Sequence, residues 1–207
     1  MIFTNLTKGQ SQVITSVLLI MIMITLIGVT YFWGIPLIEK QKDSVRVSDM
    51  ERFIKTLNEK IQYVAKNGGT QKITGLDIPG DLKLSDTDDR FVLSFQTTGN
   101  IIASGEDIYL VGDQRTEAHV GEEPGVILVR SEKAGSKYDI TMSLYYRNLR
   151  GSETDGKANI YKIDIIGIGK TVMRGKNHEI SISEYETSEE ETASERTYTT
   201  KINVRLD

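Results

Sequence analysis

Cysteine is absent from this 207-residue chain, and histidine occurs only twice. The first absence removes disulfides, thiolate nucleophiles and thiolate metal sites. The second leaves His119 and His178, neither with a metal-ligand companion at helical or turn spacing. Each reads as a surface histidine in a loop or at a strand edge. Phosphate-binding glycine loops are missing too. Gly167-Ile168-Gly169-Lys170 lacks the further glycine and the following helix that would cradle a phosphate, and its glycines read as places where a strand bends. Neither sign of charge dominates: 25 basic residues stand against 29 acidic ones, for a net charge of −4. That interspersed balance argues against nucleic acid as the main partner. No pair of groups is spaced for catalysis, so the chain does not read as an enzyme, and no cofactor is called for.

The most informative absence is local. From Val13 to Ile38, 26 residues pass without one charged side chain. About 20 helical residues suffice to cross the hydrocarbon of a bilayer. Val13, Ile14, Val17, Leu18, Leu19, Ile20, Met21, Ile22, Met23 and Ile24 are apolar on every face of such a helix. A helix of that kind belongs in lipid or inside a dense assembly of like helices. The apolar part of a secretory signal is only about 7–15 residues long, and no A-x-A-like site follows this run. Ser16, Thr25, Gly28, Thr30 and Gly34 are small enough to let neighbouring helices approach closely. Tyr31-Phe32-Trp33 reads as an interfacial aromatic belt or as packing between helices, and the two are compatible.

Ahead of the run stand Lys8-Gly9 and then Gln10-Ser11. This arrangement resembles the N-terminus of archaeal type IV pilin-like proteins with class III signal peptides. In that family a membrane peptidase cuts before the apolar run. The resemblance therefore implies a leader at residues 1–9, a cut between Gly9 and Gln10, and a mature chain that keeps the whole helix. It also implies a prepilin peptidase and an assembly machinery as partners. The membrane would hold the precursor, and copies of the same chain would surround the helix in a helical filament. The leader has one basic residue, Lys8, where several are common in the family. Lys40, Lys42 and Arg46 follow the run, so the positive-inside rule would put the remainder in the cytoplasm. The resemblance puts it outside the cell, and large domains translocate despite nearby charge. The one glycosylation sequon, Asn5-Leu6-Thr7, falls in the leader.

Beyond Ile38 the chain changes character. Val47, Met50, Ile54, Leu57, Ile61 and Val64 recur at spacings of three and four, an amphipathic helical stripe. Glu51, Arg52, Lys55, Asn58, Glu59 and Lys66 occupy the other face, and Asn67-Gly68-Gly69 supplies a stop. The spacing predicts one helix over residues 10–67, apolar over 13–38 and amphipathic over 39–66. Pro36 is expected to kink it near Phe32 and Trp33. After Gly69 the period becomes two. Strands are expected at Arg90–Thr97, Asp107–Val111, Gly125–Arg130, Lys137–Tyr146, Asn159–Ile168, Glu179–Tyr185 and Tyr198–Leu206. Turns are expected at Pro79-Gly80, 85–89, 98–100, 121–124, 150–156 and 175–177. The fold class is α+β: a long hydrophobic helix, serving as transmembrane segment or filament core, then an antiparallel, immunoglobulin-like β-sandwich over residues 70–207.

Two acidic clusters stand out. Asp86-Thr87-Asp88-Asp89 offers oxygen ligands but lacks the glycine and closing glutamate of an EF-hand loop, so no metal site is assigned. Glu184–Glu195 reads as a mobile, solvated loop between the last two strands. With the resemblance, the expected function is a structural subunit of an extracellular type IV-like pilus, working in surface adhesion. The alternatives are a minor pilin-like protein, a stator-like membrane-anchored β-sandwich of the archaeal motility apparatus, or a signal-anchored extracellular binding domain.

Overall fold

One helix, α1 (Thr4–Asn67), carries both the apolar run and the amphipathic stretch. The computed structural model describes residues 4–85 and 88–207, with side chains from residue 13 onward. The chain divides into two compact units, residues 1–42 and 43–207. Pro36 lies inside α1; lacking an N–H, it leaves the Phe32 carbonyl without its helical donor. Asn67 ends the helix as its neighbours require. Its side-chain amide donates to the Tyr63 carbonyl at 3.0 Å, and Gly68 and Gly69 take φ values of 72° and 86°, which glycine adopts without a Cβ penalty.

In the unit from residue 43, ten strands among the described residues follow: β1 (Thr70–Ser85), β2 (Arg90–Thr97), β3 (Asp107–Val111), β4 (Glu117–His119), β5 (Gly125–Ala134), β6 (Lys137–Tyr146), β7 (Asn148–Thr154), β8 (Lys157–Gly169), β9 (Val172–Glu191) and β10 (Glu195–Leu206). They hydrogen-bond in one sheet, in the order β3-β5-β6-β2-β1-β9-β10-β8-β7-β4. The stripe on α1 supplies the helical half of the core. Ile54, Leu57, Ile61 and Val64 are fully buried, and Val47 and Met50 nearly so. They join alternate residues of the strands, among them Phe91, Leu93 and Phe95 of β2, Ile140, Met142 and Leu144 of β6, and Ile202, Val204 and Leu206 of β10. The period of 3.6 meets the period of 2 across one apolar layer.

The sheet is mixed, which corrects the expectation of a purely antiparallel domain. β10 runs parallel to β8 over twelve paired positions, Glu195–Leu206 against Ala158–Gly169, and β4 runs parallel to β7. Parallel neighbours need a crossover of a dozen or more residues, usually a helix. Here β9 serves as that crossover, and β10 then inserts between β8 and β9. The α+β class holds as a long helix and a large mixed sheet, with the ten strands hydrogen-bonded in one continuous order.

Three local expectations also change. Pro79-Gly80 is not a turn but lies within β1. The β1–β9 register shifts between Ile78 and Leu82, and pairing with β2 begins only at Asp81. Pro79 therefore sits where neither ladder needs its N–H. Gly80 is there for space: a Cβ on it would clash with the Ser94 carbonyl oxygen. Gly80→Ala should lower the stability of this unit by about 1–3 kcal/mol, as overpacking does. A denaturant midpoint unchanged from the parent would contradict that close approach. Residues 150–156 are mostly strand β7; only Asp155-Gly156, with φ of 55° and 75°, makes the turn into β8, the Asp-Gly signature of a tight hairpin.

The acid-rich segment is the third. Glu184–Glu191 continues β9 and pairs with β10, and only 192–194 connect the two strands. Cross-strand cations offset the repulsion that the sequence suggests. Lys201 meets Glu186 at 3.2 Å, Arg196 meets Glu189 and Glu191 at 3.2 and 3.1 Å, and Lys157 meets Glu191 at 2.7 Å. Tyr161 and Tyr198 stack beside them, ring centroids 5.2 Å apart.

Candidate functional site

The candidate site begins as a surface no part of its own unit covers. Every large apolar side chain from Val13 to Ile38 is exposed, from 38% at Ile35 to 79% at Phe32 and Trp33. The segment is long and apolar enough to cross a membrane, by length and composition. At about 1.5 Å per residue, 26 residues span roughly 39 Å, enough for a hydrocarbon layer of about 30 Å with some tilt. Contiguous apolar patches on soluble monomers rarely exceed about 300–600 Å², which makes this exposed run unusual for a soluble monomer.

Two hydroxyls within the run are satisfied by the helix itself. The Thr25 hydroxyl donates to the Met21 carbonyl and the Thr30 hydroxyl to the Leu26 carbonyl, both at 2.8 Å. Neither hydroxyl then needs an outside partner in hydrocarbon. Nothing lies within 4 Å of a Cβ built at Gly28 or Gly34. The five small residues do not form a single face. Ser16 and Gly34 are eighteen residues apart, about five turns, so they share a line along the helix, with Thr30 about one turn from Gly34. Thr25 and Gly28 fall on the other side. The backbone of Gly9 and Gln10 is helical; their side-chain surroundings lie outside the described residues.

The second unit grips its part of α1 with polar groups. Asp43 is buried, and its Oδ2 accepts from the Thr98 N–H at 2.6 Å, the Thr98 hydroxyl at 2.6 Å and the Gly99 N–H at 3.1 Å. Burial pushes the Asp43 carboxyl up, but these hydrogen bonds, led by the Thr98 hydroxyl, outweigh it and hold the group below its ordinary 3.8. Four residues before Val47, Asp43 lies on the same stripe, so extending the period by one turn would have found it. Asn58, expected on the outer face, is buried instead. Its amide donates to Glu123 at 3.2 Å and accepts from Gln62 at 3.0 Å. Buried Arg147 ties the same region together through Asp113 and the Glu123 carbonyl, each at 2.6 Å.

Asp43→Ala should cost about 1.5–3 kcal/mol at neutral pH, since it removes three hydrogen bonds to a charged, buried acceptor. A carboxyl with a depressed folded pKa contributes stability above its unfolded value, and that contribution disappears as pH falls through the lowered one. The gap between parent and variant should therefore close below about pH 4. Asp89 acts in the opposite sense. Burial and then Asp164 raise it, so the difference between the two proteins, not either profile, isolates Asp43. A gap independent of pH in thermal or denaturant unfolding would contradict the clamp.

A groove of about 400 Å³ opens in the same unit beside residues 44–51 of α1. Val47, Ile101, Ile102, Ile108, Leu110 and Met142 give it apolar walls, and Ser44, Ser48 and Glu51 line its polar side. Among the described residues no group of three or more His, Asp or Glu could hold a metal ion. The Asp86 and Thr87 part of the loop cluster lies outside the described residues; Asp89 accepts from the Ile165 N–H at 3.3 Å. The His178 ring nitrogens lie 2.9 Å from the Asp207 carbonyl oxygen and 2.7 Å from that of Arg174. The His119 N–H donates to Glu122 at 3.1 Å. The His178 ring thus ties the end of β10 to β9. No family pattern, characterised protein or solved structure matches the chain.

Proposed function

We propose that this chain is a pilin-like structural subunit, held in the membrane by residues 13–38 as a precursor and polymerised through the same helix into an extracellular filament. The observation that carries the reading is a contrast along one helix. Every large apolar residue of the run is exposed, whereas the stripe from Val47 to Val64 is buried in its own unit. One segment is finished within the chain, and the other needs lipid or copies of itself. Small residues on two sides of the run favour a helix with more than one neighbour, as a filament core requires. The mixed sheet would form the outer sheath, with the charged β9–β10 hairpin available for surface adhesion. The chain would reach this state through a prepilin peptidase acting between Gly9 and Gln10 and an assembly machinery. A signal-anchored binding domain is the second reading, favoured by a run that suits a single crossing.

Intact mass and N-terminal sequencing of the native protein test the proposal. A mature chain beginning at Gln10 is expected, and a bulky residue in place of Gly9 should block the cut. A chain beginning at Met1, or beyond Ile38, contradicts the pilin reading; Met1 would favour the anchor.

A further inference from the structure

We infer that the groove beside residues 44–51 receives the Tyr31-Phe32-Trp33 segment of a second copy of this chain. The inference rests on the filament reading and names the contact that propagates it. An occupant of this groove must be mostly apolar, because its walls are Val47, Ile101, Ile102, Ile108, Leu110 and Met142. It can also carry one donor, because the side chains of Ser44, Ser48 and Glu51 line one side, and Glu51, although it accepts from Lys55 at 2.6 Å, keeps further lone pairs. Trp33 fits both demands: its ring is apolar and its indole N–H only donates, needing one acceptor when buried.

The aromatic trio is also the part of the run with the most surface to hide. Tyr31 is 70% exposed and Phe32 and Trp33 are each 79% exposed, above every other large apolar residue among those described. A buried aromatic side chain removes about 150–250 Å² from water. Two or three of them supply much of the roughly 800 Å² per partner that a stable interface needs. The groove is within the size range, about 300–1,000 Å³, of sites that bury a small organic ligand, so it has room for Trp33 and one aromatic neighbour. Aromatic anchors in a central pocket carry most of the energy in many protein interfaces.

The geometry is heterologous. The surface that inserts and the surface that receives are different parts of the chain, so each copy keeps one of each unsatisfied after pairing. Such contacts extend into rings or open helical filaments instead of stopping at a dimer. In the precursor the same residues would lie at the membrane interface, where tryptophan and tyrosine are enriched; assembly would move them into protein.

The absence of cysteine makes the test direct. One copy carries Leu37→Cys, about one turn from Trp33 on the same face; a differently tagged copy carries Ser48→Cys on the groove. Leu37 and Ser48 are both exposed, so neither change disturbs the core. The two are made together in cells, a short bis-maleimide is added, and filaments are imaged from the same culture. A covalent product joining the two tags is expected, with its yield reduced about tenfold or more by Trp33→Ala, the loss expected for an anchor residue. Filaments without that product, or a product insensitive to Trp33→Ala, overturn the groove contact and leave the filament reading standing. A lipid co-purifying in the groove in place of the crosslink also overturns it. Absence of filaments containing the chain removes both readings together.

Discussion

Deleting residues 1–42 is expected to leave residues 43–207 as a soluble, cooperatively folded monomer that no longer enters membranes or assembles. The division between the two units falls at Lys42 and Asp43. Among the described residues no member of the apolar core comes before Val47, so the truncated chain keeps their buried apolar side chains and the Asp43 clamp. It loses all the exposed large apolar residues from Val13 to Ile38. The helical segment that remains has its stripe covered by the sheet, so it does not depend on intrinsic propensity, which leaves short isolated helices marginal in water. Sedimentation and denaturant unfolding check this. A truncated protein that still pellets with membranes or forms filaments would show that the run is not the assembly segment; one that fails to fold would show that the second unit depends on the first.

Ile22→Asp is expected to weaken membrane insertion of the full chain strongly while leaving the 43–207 unit folded. On an insertion scale isoleucine is favourable by about 0.3–0.6 kcal/mol and aspartate unfavourable by about 2.5–3.5 kcal/mol at a helix centre. The difference, roughly 3–4 kcal/mol, lowers partitioning by about 10²–10³-fold. The run contains no cation to pair with the new charge, and an unpaired carboxylate in hydrocarbon is the costly case. Alkaline extraction of membranes reads the outcome. A variant retained in the membrane fraction as firmly as the parent would contradict a bilayer-embedded run.

Elements whose signal is local were legible in the residues alone. The stripe from Val47 to Val64 is buried as its period requires, and the helix stops at Asn67. Strands at Arg90–Thr97, Asp107–Val111 and Lys137–Tyr146 match end to end, because turn residues bracket clean alternation. What escaped depends on partners distant in the chain. Pro79-Gly80 carries turn chemistry, yet its role is set by the Ser94 carbonyl. The acids of Glu184–Glu191 look solvated until Lys157, Arg196 and Lys201 are brought alongside. Asp43 looks like one more charge after the run until Thr98 and Gly99 close on it. The apolar run announces itself by composition. The groove does not, since residues 44–51, 101–110, 129 and 142 meet only in the folded sheet.

The most direct test of polymerisation through the helix is electron cryomicroscopy of filaments sheared from cells that make this chain, with the subunit identified by mass. Polymerisation through the helix predicts filaments of this chain beginning at Gln10, with residues 13–38 of neighbouring copies packed along the axis and the sheet units outside. Cells whose surface filaments lack the chain, while the chain stays in the membrane as a monomer, would contradict it.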